Sequence, residues 1–378
     1  MRQILHTLQT DTPGTQRSLV SWHFGQAGGK KAYLQASLHA DEPPGMLVLH
    51  HLKSLLLRAE ADHLIKGEIV LVPLANPIGL SQYLLRQGLG RFEMNSAENF
   101  NRNYPDLVAM LDEGLFEQLG DDPEENCALI RAHLTRALNA IQPKTELESL
   151  RLTLMRLAFD SDIVLDLHCD NEAVMHLYTE TPYWRHAEPL ARYLGARVTL
   201  LAEGSGSAAG GAFDEAQSGL WWRVPRLRAA ARKPVPALPL ATFAVTIEYR
   251  GTADVSHAQA KHDAACLFDY LCHEGLIDGV PPPLPALLGE PTPLAGSMPI
   301  YAPHGGVLTF HREVGDQVLA GEPIADIVDV LSGTVTTLSS PVAGCLYARM
   351  SIRMVRAFES VARVAGEKAL REGSLLTA

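Results

Sequence analysis

The chain reads as an α/β fold with a mixed central sheet flanked by helices, followed by a small all-β domain of barrel-sandwich type. Three observations carry that expectation. Residues 33–38 and 68–74 are apolar, strand-like runs with a helical stretch between them, at the spacing of a βαβ unit. Two further apolar runs, 162–168 and 243–249, each close on an ionisable side chain. Beyond residue 281 a cluster of prolines gives way to short β-like runs punctuated by Gly and Pro.

In chain order, residues 1–30 form a weakly patterned lead-in, expected as a short strand and a turn ending at Gly28-Gly29. The run from Tyr33 to Leu38 is a buried strand, and Met46 to Leu57 a helix with apolar residues on nearly every side. The second strand is closed by Ala75-Asn76-Pro77, and residues 78–103 are loop-like, rich in Gly, Asn and Arg. A connection this long inside a compact domain is usually functional or disordered. Leucines and alanines at three- and four-residue steps predict helices over 106–142 and 146–159. Strands follow at 162–168, 173–179 and 197–202, with a helix over 188–194 in which Pro189 sits in the first turn. A Gly/Ser/Ala-rich loop at 204–211, expected as a mobile site rim, precedes the strand 243–249 and a helix over 255–273. Three segments result: a catalytic domain over 1–280, a stiff proline-rich linker over 281–296, and a β domain over 297–378.

That last segment holds a weak repeat, in which residues 303–308 align with 341–346 around a Gly-Asp-x-Val-x-x-Gly run at 315–321. The pattern resembles the lipoyl and biotinyl carrier domains, whose modified residue is a lysine. No lysine lies between Lys261 and Lys368, so the domain is expected unmodified, shaping a site rim or an oligomer contact.

Composition narrows the function class. Hydrophobic residues make up 47% and charged residues 20% of the 378, as in an ordinary globular protein. A formal charge of −11 argues against a nucleic-acid or anionic-membrane binder, since both need a basic footprint. Five cysteines without a Cys-x-x-Cys pair point to a reducing compartment, and no secretory leader or membrane span is apparent, so a cytoplasmic protein is expected. A homo-oligomer remains open.

The chemistry gathers at strand ends. His39 and Glu42 stand at His-x-x-Glu spacing where the first strand gives way to Pro43-Pro44-Gly45. Asp166 and His168 alternate onto one face of their strand, and His168 ends it at the sheet's carboxyl edge. Two imidazoles and one carboxylate are the ligand set of a catalytic zinc with an open position, one ion per chain. Glu248, ending another strand, stands as general base. Asn101 and Arg102, within Asn99-Phe100-Asn101-Arg102-Asn103-Tyr104-Pro105, suit capture of a small-molecule carboxylate by a guanidinium fork. Each has a bland reading: a satisfied strand-end histidine, a Glu248–Arg250 ion pair, solvated arginines. Their order along the chain is harder to dismiss.

That order is where the chain resembles the zinc carboxypeptidase superfamily, in its succinylglutamate desuccinylase/aspartoacylase-like branch. The matching elements are His39/Glu42, Asn101-Arg102, Asp166-Leu167-His168 and Glu248, over about residues 30–275. The resemblance implies a zinc carboxypeptidase-like fold, with zinc held by His39, Glu42 and His168. It also implies Glu248 activating water and then protonating the leaving amine, with Asn101 and Arg102 on the substrate carboxylate. Asn99 departs from the usual Asp, Tyr104 from Phe, and His-Ala-Asp-Glu from the commoner His-Gly-Asn-Glu. The function implied is a deacylase acting on an N-acyl amino acid or similar small carboxylate. A metallocarboxypeptidase acting on peptide C-termini and an inactive binding protein on the same fold are the alternatives. Arg86 and Arg91 are weaker candidates for polarising a carbonyl; Cys169 is expected to face away, and His50-His51 to be structural.

Overall fold

The computed structural model describes residues 1–203, 211–373 and 375. Its centre is a nine-stranded mixed sheet. Across the sheet the strands run Arg2–Thr7, Ser18–Gly25, Glu68–Val72, Lys31–Ala36, Ile163–Asp170, Phe243–Gly251, His176–Glu180, Val198–Ala202 and Pro291–Pro293. The four central strands, Glu68–Val72 to Phe243–Gly251, are mutually parallel. Their carboxyl ends therefore lie along one edge, where ligands gather in open α/β sheets.

Alternation along the strands sorts side chains into two cores. Ala32, Leu34, Ala36, Leu165, Leu167, Val245 and Ile247 bury one face in a core that includes residues of the helices Pro44–Ala61, Trp184–Leu194 and His257–His273. Tyr33, Val164 and Ala244 bury the other face in a core with residues of Pro123–Ala140, Glu146–Ala158 and Phe213–Ala230. Asp166, His168, Thr246 and Glu248 share the parity of this second face, which fixes where the polar cluster can form.

Several elements differ from their sequence reading. The lead-in is two full strands paired antiparallel at the sheet edge. Its apolar pattern is weak because a polar chain joins these strands: His6 Nε2 lies 2.7 Å from Ser21 Oγ, which lies 2.9 Å from His23 Nε2, and His23 Nδ1 stands 2.8 Å from Glu68. Residues 106–142 are not one helix. A 3₁₀ turn and the single turn Glu113–Phe116 precede Pro123–Ala140, whose start is set by Asp122 capping the Glu124 and Glu125 N–H groups. The helix expected over 188–194 begins at Trp184, which leaves Pro189 inside it. The Gly/Ser/Ala loop lies outside the described residues except for Gly211.

After the proline-rich stretch, Pro291–Pro293 adds a parallel strand to the main sheet beside Val198–Ala202. The C-terminal residues then form two small antiparallel sheets enclosing Ile300, Leu308, Ile324, Ile327, Leu346 and Val364. The halves of the repeat supply Gly306–Phe310 to one sheet and Gly344–Arg349 to the other. This unit is fastened to the main sheet by pairing of Glu172–Ala173 with Arg349 and Ala348, and by Glu172 set between Arg349 and Arg353 at 2.6 and 2.7 Å.

A close backbone approach positions the His39–Glu42 corner. The Ala40 N–H donates to the Gly90 carbonyl at 3.0 Å, and a Cβ on Gly90 would meet the Asp41 nitrogen at 2.2 Å. Gly90→Ala is therefore expected to push the corner out of place, at a cost of about 1–3 kcal/mol in stability together with weakened metal binding. Thermal melts and metal titration check this; a variant matching the parent in both would refute it.

Candidate metal centre and substrate cavity

The turn after Lys31–Ala36 carries His39 and Glu42, and the strand Ile163–Asp170 carries His168. One donor atom from each lies within 4.8 Å of the other two, and all three residues are buried. Glu42 stands between the rings. Its Oε1 is 2.9 Å from His39 Nδ1, its Oε2 is 2.8 Å from His168 Nδ1, and Oε2 also accepts the Cys169 backbone N–H at 3.2 Å. Burial alone would raise the Glu42 pKa, yet the two histidines pull it far below the ordinary carboxylate value.

The far nitrogens of both rings face oxygens, through a hydrogen bond at His39 and at ion-pair distance at His168. His39 Nε2 lies 2.9 Å from Asn99 Oδ1, which also accepts the Asn101 N–H at 2.8 Å. The amide orientation is thereby set, and His39 must carry its proton on Nε2. Burial lowers the His39 pKa, which favours the neutral ring. Its Nδ1 lone pair then faces a carboxylate oxygen across 2.9 Å, a pairing of two acceptors that draws cations: the Arg91 guanidinium already stands 3.4 Å from this nitrogen and 3.7 Å from the carboxylate. His168 is backed by a charge: its Nε2 stands 3.0 Å from Asp166 Oδ2, while Asp166 Oδ1 accepts from Gln35, whose Oε1 accepts from Tyr33. Burial disfavours the imidazolium of His168, but Asp166 and Glu42 outweigh it and raise the pKa well above its usual value.

His39 and His168 line a cavity of about 310 Å³ together with Arg91, Asn101, Arg102, Asp170, Tyr178, Glu180, Asp214, Glu248 and Arg363. Glu248 lies opposite His168 in the register of neighbouring strands. Its Oε2 is buried with no hydrogen-bond partner among the described residues. Burial, then Glu42, raises its pKa to about 8, against the opposing pull of His168. Arg250 does not neutralise it, being ion-paired with Asp263. Asn101 spends its Oδ1 on the Phe213 N–H at 2.7 Å, tying this loop to the start of Phe213–Ala230. The Arg102 guanidinium bonds the Asn101 carbonyl at 2.7 Å; burial and Arg91 work against its charge, Glu215 and Asp214 in favour of it.

Of the two loop arginines, Arg91 reaches the site, 3.7 Å from Glu42, whereas Arg86 lies exposed in a hairpin turn with φ 71°. Cys169, expected to face away, borders the cavity, although the contact that matters there is its backbone N–H. His50 and His51 sit on the outer side of Pro44–Ala61, where His51 Nε2 lies 3.0 Å from His257 Nδ1.

Three contributors carried no readable signal, Glu180, Asp214 and Arg363, and Asn99, read as a departure from the usual Asp, was not read as the partner of His39. Burial raises the pKa of Glu180 to about 8 and that of Asp214 to about 7. Isolated acids and an arginine in unremarkable surroundings announce nothing in one sequence; Asn99 alone stood beside a motif. Asn99→Ala is expected to weaken metal binding by roughly 10–100-fold, because His39 loses the acceptor that fixes its tautomer. Competition against a chelator measures this; an unchanged affinity would separate Asn99 from the site.

The succinylglutamate desuccinylase/aspartoacylase catalytic domain matches residues 28–273. Among solved structures, a succinylglutamate desuccinylase/aspartoacylase family protein from Shewanella amazonensis is 27% identical, with a TM-score of 0.81 over 97% of this chain and 98% of that one. A second, from Shewanella frigidimarina, is 24% identical with a TM-score of 0.80 over 97% of each chain. The product-bound ectoine utilization protein of Ruegeria pomeroyi shares the fold at 15% identity and a TM-score of 0.66, over 96% of this chain and 93% of that one. No curated protein matches the chain in sequence. With the domain match spanning well over half of its residues, the chain belongs to the succinylglutamate desuccinylase/aspartoacylase family.

Proposed function

We propose that the chain is a zinc-dependent amidohydrolase that removes the acyl group from an N-acyl amino acid or a similar small carboxylate. The observation that carries this is the His39 Nδ1 lone pair facing the Glu42 carboxylate, with His168 completing two nitrogens and one oxygen beside an unpartnered Glu248. That donor set suits Zn²⁺ better than a hard, oxygen-seeking cation. Once bound by His39, Glu42 and His168, zinc would supply Lewis acidity, lowering the pKa of a water and polarising the amide carbonyl.

The chain's own groups divide the remaining work. Asn99 and Asp166 hold the two rings so that Nδ1 of each points inward. Glu248, with a carboxyl poised to gain or lose a proton, takes one from the attacking water and delivers it to the departing nitrogen. Arg91, 3.7 Å from Glu42, would stabilise the negative charge that develops on the carbonyl oxygen. Arg102, with Asn101 buttressing its loop, binds the substrate carboxylate. Five cysteines without a disulfide fit a reducing compartment such as the cytoplasm. Among the described residues no helix is long and apolar enough to cross a membrane.

The test is a panel of N-acyl amino acids assayed beside short peptides on zinc-loaded protein. Release of free amino acid from the first group is expected. Turnover of peptides alone would overturn the reading in favour of a carboxypeptidase.

A further inference from the structure

The helix Glu146–Ala158 buries Leu147, Leu150, Leu154 and Ala158 at three- and four-residue steps. Arg151 falls on that same face, where the pattern calls for a leucine. It is 5% exposed, and among the described residues no other arginine is buried as deeply. A guanidinium is costly to withdraw from water, so its place in an apolar stripe has to be explained by its partners.

Both partners lie in the loop that serves the metal centre. Arg151 donates from Nη1 to Glu98 Oε2 at 2.8 Å and from Nη2 to the Asn99 carbonyl at 3.0 Å. Glu98 Oε2 also accepts from Asn103 Nδ2 at 2.9 Å; the bond from Asn103 and then that from Arg151 hold the Glu98 carboxyl below its usual range. The Asn99 carbonyl accepts the Arg102 N–H as well, at 3.2 Å. Ala97 and Asn103 bracket this loop with left-handed backbone, φ 59° and 60°, which a non-glycine residue keeps only where its surroundings impose it.

The His39 ring makes that restraint matter. A neutral ring has one proton and two claimants, Asn99 Oδ1 at Nε2 and Glu42 Oε1 at Nδ1, each at 2.9 Å. If Asn99 moves away, the proton passes to the Glu42 side, where a metal has to displace it before binding. The Asn99 side chain has little else to hold it: its Nδ2 has no partner among the described residues. Arg151 does not line the cavity of His39 and Glu248, so any effect it has there travels through the loop.

We propose that Arg151 is a positioning residue for the metal centre: by clamping Glu98 and the Asn99 carbonyl, it holds the Asn99 amide against His39 Nε2 and keeps Nδ1 of that ring free for the metal. This rests on the reading of His39 as a ligand, but the placement of the ring proton can be measured without metal.

The first measurement is competition for zinc against a chelator. Arg151→Met is expected to weaken zinc about 10-fold, the low end of the range for groups that orient a ligand from behind. Combined with Asn99→Ala it should weaken zinc no further than Asn99→Ala alone, because the two act along one path. Arg151→Lys keeps the charge without the fork and should recover part of the loss; if Arg151→Met does not fold, the lysine variant carries the same comparison. The second measurement is ¹⁵N NMR of histidine-labelled, metal-free protein, with the His39 signals assigned through His39→Gln. The parent is expected to hold its ring proton on Nε2, and the Arg151 variants to place it partly on Nδ1. Unchanged zinc affinity, an unchanged tautomer, or losses fully additive with Asn99→Ala would each overturn the proposal. A parent that binds no zinc, yet whose His39 tautomer shifts when Arg151 is replaced, would refute the metal reading and leave Arg151 in its place.

Discussion

Replacing Glu248 by glutamine is expected to lower kcat by about 10²–10⁴-fold while zinc content stays near one ion per chain. The substitution keeps the shape of a side chain whose Oε2 is buried and unpartnered, and removes its capacity to hold a proton. The same group sets a pH dependence. Burial and Glu42 place its pKa at about 8 in the metal-free site, so there it is largely protonated at neutral pH. A dication at the neighbouring ligands favours the carboxylate and moves that value downward. A general base acts when deprotonated, so kcat/KM should rise with pH along a limb centred below about 8. Glu248→Gln should abolish the limb along with the rate. Steady-state kinetics across pH with parallel metal analysis decides the matter: full activity in the variant would remove Glu248 from the chemistry, and lost zinc would recast it as a ligand.

The second large effect is expected from His168→Ala. Zinc content should fall toward zero, since one of three donors is deleted. Stability should fall as well, even in chelator-treated protein. There His168 is the cation between Glu42 and Asp166, with a pKa raised well above its ordinary value despite burial. Deleting it leaves two buried carboxylates without their partner, a loss of about 3–5 kcal/mol. His39 is backed by a neutral amide and is itself neutral, so His39→Ala should also release zinc but cost the metal-free protein less. Because the folded-state pKa of His168 is raised, its stabilisation is full below the ordinary histidine value and fades as pH climbs through the raised one. Denaturant melts of both variants without metal test this; equal losses would contradict the division of charge between the two rings.

Much of the fold was legible because the central strands are buried on both faces. Runs such as 33–38, 68–72 and 163–167 are nearly continuous in apolar residues, a pattern few other elements produce. The edge was harder to read. Arg2–Thr7 is mostly exposed, and Ser18–Gly25 is joined to it through His6, Ser21 and His23, so neither strand announces itself by hydrophobicity. Pro291–Pro293 was obscure for a different reason. Proline cannot donate to a ladder, yet an outermost strand has one side free of pairing and tolerates it. The break near residue 120 depends on a cap at Asp122, a local contact invisible to three- and four-residue periodicity.

The sequence by itself determined the identity and order of the groups that converge: His39 and Glu42 at a strand end, Asn101-Arg102 in a loop, His168 and Glu248 on strands. Each lies within or beside a strongly patterned strand or inside a distinctive local motif, so short-range chemistry suffices to pick it out. Tertiary structure alone decided how those groups are electrically set. The tautomer of His39 depends on Asn99, sixty residues away in the chain. The protonation of Glu248 depends on burial shared with Glu42. Arg363 reaches the cavity only because a second β unit pairs against the end of the His168 strand. Charge, proton and dielectric act through space between residues far apart in sequence, and only the folded chain sets those distances.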